Sequence, residues 1–173
     1  MACVLTTGFA DECDDSAGGV KKDSVLIAQL DDIDAFTVTS GEITALTQVA
    51  ATNFYRYAVR KEIANAVSTG TKDPIQGTTV IETVFTTTLH KLSAAKNEEI
   101  KLLTGKPCVV IYQDQNEVYH CTGITNGAEL LAPVSQTGVS MNDMNGYTLA
   151  FTAREKNFPY TVDPTVVAGL TIA

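Results

Sequence analysis

Tryptophan is absent from this 173-residue chain, histidine occurs twice, and aromatic residues make up only 7%. So few aromatic platforms argue against a secreted β-sandwich module that binds carbohydrate. His90 and His120 each fall in an extended run without a histidine or carboxylate at ligand spacing, and Cys121, adjacent to His120, points to the opposite face. Missing too are a G-x-S-x-G elbow, an H-E-x-x-H pair and a glycine-rich loop between strand and helix. Adjacent carboxylates such as Asp31–Asp32 and Glu98–Glu99 do not converge and read as solvated. The expectation is therefore no enzyme, no cofactor and no metal. Cys3, Cys13, Cys108 and Cys121 fit no zinc spacing. They read as small buried residues of a reducing compartment, with a Cys3–Cys13 bridge as the alternative.

No basic and apolar leader follows Met1, and no run of about eighteen apolar residues occurs. The expected setting is a cytoplasm, or something assembled there, without a membrane. Charged residues are scarce at 18%, and their balance is acidic, with a formal net charge of -8. Such a surface repels phosphate backbones, which excludes coating or reading nucleic acid but suits a wall past which DNA slides.

Threonine, alanine and valine are plentiful, which favours sheet. The length allows one domain, residues 1–173. Its organising stretch is Phe54–His90, two β-prone runs around the turn-like STGTKDPIQG. Tyr55, Tyr57, Val59, Ile63 and Val67 alternate against Arg56, Arg60, Glu62 and Ala64, a period of two broken only at Lys61. In the second run Val80, Glu82 and Val84 oppose Ile81, Thr83, Phe85 and Leu89. The pattern predicts a hairpin, 54–90, with arms of about a dozen residues, extending roughly 40 Å at about 3.3 Å per residue. A small domain cannot cover both faces of so long a ribbon, so it is expected to find cover on another copy. Its predicted interface residues are Tyr55, Tyr57, Val59, Arg56, Arg60, Lys61, Val80, Val84 and Phe85. The basic trio Arg56, Arg60 and Lys61 is a solvated face or a partner for acidic residues of an adjacent subunit.

Around this ribbon, residues 1–22 read as an irregular N-terminal arm. Its crowded Asp11, Glu12, Asp14 and Asp15 lack the alternation of a calcium loop and read as a solvated acidic loop. Strands are predicted at Ser24–Leu30, Ala35–Thr39 and Ile43–Val49. Ser93 caps a helix at Ala94–Thr104 that Gly105 stops, with Leu92, Ile100 and Leu103 in one stripe. A second hairpin spans Lys106–Ile124 about Asp114–Glu117, pairing Val110 with Cys121 and placing Cys108 diagonally on the same face. Thr125–Asn145 reads as a long loop with one short helical turn, Gly146–Lys156 as a closing strand. The apolar tail 161–173 is expected to dock on its own body or a neighbour. The fold predicted is mainly β, a sandwich or barrel with one flanking helix and a long protruding hairpin.

Both ends carry a resemblance. Met1-Ala2-Cys3, Leu5-Thr6, Gly8, Cys13, Asp15-Ser16, Gly18-Gly19 and Lys21, with Asn145-Gly146-Tyr147-Thr148-Leu149 and Glu155-Lys156, resemble the major tail tube proteins of tailed bacteriophages. The resemblance implies a virion protein, assembled in the host cytoplasm, in which six copies join hairpins into one inner barrel. Rings then stack through a long loop or hairpin and terminal arms, joined by other tail proteins, around a negative lumen through which double-stranded DNA passes transiently. Phe54–His90 and Lys106–Ile124 would supply the inner wall. The basic trio departs from a negative lumen unless it is paired across subunits. The alternative is another virion component, a head-tail joining or capsid decoration protein.

Overall fold

From Cys108 to Tyr112 five successive residues are buried, because this apolar run is covered on both of its faces. The computed structural model describes residues 7–9 and 16–173. The Cys3–Cys13 bridge and the acidic cluster 11–15 lie outside the described residues. In chain order the elements are β1 (Val25–Gln29), a short 3-10 turn (Leu30–Asp32), β2 (Ile33–Thr39), β3 (Glu42–Gln48), β4 (Tyr55–Tyr57), β5 (Asn65–Asp73) and β6 (Thr78–His90). The helix α1 (Ala94–Thr104) follows, then β7 (Cys108–Gln113), β8 (Tyr119–Thr122), β9 (Ala128–Leu130), β10 (Val134–Gln136), β11 (Gly146–Glu155), β12 (Tyr160–Val162) and α2 (Pro164–Ala168). The chain is mainly β, as its composition and periodicity predict.

The strands form one mixed sheet in the order β2-β3-β12-β8-β7-β9-β11-β6-β5, with β1 bridging β7 and β4, and β10 beside β11. Among the described strands only β12 and β3 pair in parallel, and an isolated parallel bridge joins Phe54 to Ile172. Alternate residues of β7 enter two cores. Cys108, Val110 and Tyr112 meet β1, β6, β9, β11 and the α1 residues Ile100 and Leu103. Val109 and Ile111 meet Ile43, Phe54, Cys121, Val162, Val167 and Leu170 on the other face. Phe85 on β6 stacks on Tyr112 on β7 with ring centroids 5.0 Å apart, although β9 and β11 stand between those strands in the ladder. The sheet therefore curls around the first core.

The helix α1 forms where its signals place it. Ser93 accepts a hydrogen bond from the Lys96 amide, Gly105 ends the helix, and Ile100 and Leu103 turn inward. The tail docks on its own body: β12 pairs with β3 and β8, and the Phe54 amide donates to the Thr171 carbonyl at 2.9 Å. Residues 161–173 are thus a piece of the sheet and its second core.

Three expectations are corrected. The segment Phe54–Val67 is not one strand: β4 pairs with β1, the backbone leaves the ladder over 58–64 with Glu62 at φ 62°, and β5 begins only at Asn65. The β7–β8 turn holds one residue more than predicted, with Glu117 at φ 67°, so Ile111 rather than Val110 faces Cys121. A one-residue slip exchanges the faces of a strand, and Cys108 and Cys121 accordingly lie in different cores. Within 125–145, β9 and β10 replace the predicted loop, since Ala128 and Leu130 reach the first core.

Candidate assembly surface

The hairpin of β5 and β6 is held by a continuous register from Asn65↔Thr86 to Asp73↔Thr78. Its turn is Pro74–Gly77, later than predicted. Asp73 Oδ1 accepts from the amides of Ile75 and Gln76 at 2.8 and 3.1 Å, and Gly77 takes φ 65°. Asp-Pro with a left-handed glycine closes a turn at low cost. Ser68 to Asp73, which look turn-like in isolation, are extended because β6 pairs with them. Gly70 has a positional reason as well: a Cβ there would stand 3.1 Å from Ile81 Cδ1.

Burial divides this ribbon at its middle. From Ile81 the inward residues Ile81, Thr83, Phe85 and Thr87 are buried, Phe85 in the first core. All twelve residues of 69–80 are exposed. Five residues of β5 beyond the body correspond to about 16 Å of uncovered ribbon at about 3.3 Å per residue. The outer edge of β5 is unpaired among the described residues, as is that of β2 at the far end of the sheet. The β2 edge is interrupted by register shifts at Ile33/Ala35 and Thr37/Val38, a device that blunts an edge, whereas the β5–β6 register runs unbroken.

The outward face of the hairpin carries Val67 opposite Val84, Thr71 opposite Val80, and Glu82 opposite Arg154 of β11, whose Nε donates to Glu82 Oε2 at 2.7 Å. Of the predicted interface residues, Tyr55, Arg56, Arg60, Lys61 and Val80 are exposed, and Tyr57 and Val84 are half-buried. Val59 and Phe85 are buried in the chain's own core. Lys61 pairs with Glu62 at 3.2 Å, and that pair stands apart from the hairpin.

Sequence reasoning missed two features here. Leu131, Val134, Val139 and Met141 are exposed along the segment containing β10, and Asp143 organises its tip by accepting from the Val139 and Ser140 amides at 2.8 and 2.7 Å. Those bonds hold the Asp143 carboxyl below the usual range. Apolar residues set among Gly, Asn and Ser were the available signal. The second feature is the tether of the N-terminal segment. Ala17 donates to Asn116 Oδ1 at 2.8 Å, Lys21 to the Gln113 carbonyl at 2.8 Å, and Val20 is buried against the β7–β8 turn. Residues 16–22 are therefore clamped to the body.

Chemistry is sparse, but one expectation about it fails. His120 does have a carboxylate neighbour, because the longer turn brings Asp114 Oδ2 to 3.1 Å from its Nε2. Asp114 is also tied to the Val118 amide at 2.9 Å. Burial pushes its carboxyl up, but the bonds from His120 and Val118 outweigh that and hold it below the usual range. Ser68 lines the same recess, and its hydroxyl is engaged with Thr83 at 2.9 Å. Among the described residues no group of three or more His, Cys, Asp or Glu is placed to hold a metal ion. No described helix is long and apolar enough to cross a membrane. Comparison with protein-family models, with curated proteins and with solved structures returns no match.

Proposed function

We propose that this chain is a structural subunit of a bacteriophage tail tube, closing into hexameric rings that stack around a channel for DNA. The observation that carries the reading is the half-covered hairpin, whose twelve exposed residues, turn included, end an unbroken ladder with an open edge. A two-stranded ribbon is marginal on its own, and an open edge is a template for pairing. Identical copies in a closed ring use up every such edge, which a monomer cannot do. The net charge of -8 suits a lumen that DNA passes without adhering. The sequence resemblance at both termini points the same way.

In this reading the hairpins form the inner wall, and other tail proteins meet the ends of the tube. Electron microscopy of the purified chain is the test. Hollow tubes built from six-subunit rings are expected. Isolated particles at every concentration contradict the reading, and binding only to a capsid or portal surface favours a decoration or joining protein instead.

A further inference from the structure

The segment 56–60, the end of β6 and the helix α1 enclose a cleft of about 400 Å³. Its floor is apolar, formed by Tyr57, Val59, Leu89 and Ile100, and Arg56 and Arg60 stand at its rim. The other charged groups at the cleft are already engaged. Lys96 Nζ donates to the carbonyls of His90 and Lys91, Asp23 pairs with Lys22 at 3.4 Å, and Glu99 Oε1 accepts from the Tyr57 hydroxyl at 2.8 Å. Neither Arg56 nor Arg60 makes an ion pair with any described residue. His90 lines the cleft too, and its Nε2 is shut from solvent without a hydrogen-bond partner among the described residues.

Two open guanidinium groups above an apolar floor match carboxylates that follow an apolar anchor. The chain itself contains such a run. Phe9-Ala10-Asp11-Glu12-Cys13-Asp14-Asp15 sets four carboxylates behind a phenylalanine that is 97% exposed. We propose that this cleft receives the Phe9–Asp15 segment of a neighbouring copy, with Phe9 on the floor and the carboxylates on Arg56 and Arg60. The proposal rests on the tube-subunit reading and adds to it the partner of the basic pair. Binding between copies rather than within one follows from Phe9 itself, which is 97% exposed and so does not occupy the cleft of its own chain. A nucleic acid phosphate is a poorer occupant in a chain of net charge -8.

Native Cys13 lies in the middle of the segment, and exposed Ala58 lines the cleft. The experiment is oxidative cross-linking of the full chain carrying Ala58→Cys and Cys3→Ser, read on a non-reducing gel beside electron micrographs of the same sample. Dimers and higher multimers are expected, lost on adding Cys13→Ser and reduced about tenfold or more by Arg56→Gln with Arg60→Gln. Both arginines are exposed, so an unchanged melting temperature checks that the fold survives. Tubes without an interchain Cys13 link, or with an intrachain link only, overturn the proposal and leave the tube reading standing. Absence of any assembly overturns both.

Discussion

Burial pushes the Cys108 thiol up to about 11, with Asp32 and Glu99 adding to it, and raises the Cys121 thiol further still. Neither is a thiolate near neutral pH, and the sheet separates them. In a Cys3→Ser, Cys13→Ser background, thiol reagents at pH 8 should label neither until denaturant is added; labelling of the folded chain would show that the cores are open. Asp114 makes the second residue-scale prediction. Its folded carboxyl lies below the ordinary aspartate value of about 3.9, so its stabilising contribution is present above that value and is lost as pH falls through the folded one. The difference in melting temperature between the native chain and Asp114→Asn should therefore shrink below about pH 4. A difference that stays constant to pH 2.5 would deny the pair a role. Neither the thiol separation nor the His120 contact was legible in sequence, since both depend on Glu117 adopting a left-handed conformation that lengthens the turn by one residue. Glutamate gives no local warning of that, where glycine or asparagine would.

Elements whose signals are local were legible. The helix α1 forms at Ala94–Thr104 because Ser93, Gly105 and the Ile100–Leu103 stripe all agree. Ser93→Ala removes the bond to the Lys96 amide and should cost about 1 kcal/mol, measured by chemical denaturation. A loss of zero would mean that packing alone holds the helix. The alternation in β6 was readable for the same reason, with Ile81, Thr83 and Phe85 sharing one face as predicted; that this face turns into the chain's own body, which takes Phe85 out of the expected interface, was not legible. The first arm of the hairpin was less legible. Tyr55 and Tyr57 do alternate, but they alternate on β4 against β1, and nothing in a period of two says which strand is the partner. Polar Ser68–Asp73 misled in the opposite direction, because an edge strand exposed on its outer half needs no apolar residue to be extended.

At the scale of the molecule, β7 organises two cores on opposite sides of a curled sheet, and the hairpin leaves that body before its own length is covered. The mainly β class and the hairpin's existence follow from composition and periodicity. The order of strands does not, because contacts such as β12 on β3 join residues more than a hundred positions apart. The assembly account places its weight on 69–80, exposed in the single chain and expected to be covered by neighbouring copies. Amide hydrogen exchange of the assembled and dissociated chain measures this segment directly. The account predicts that the outward amides of β5 and the turn Pro74–Gly77 gain protection on assembly, while β7, already buried, changes little. Equal exchange across 69–80 in both states would contradict it.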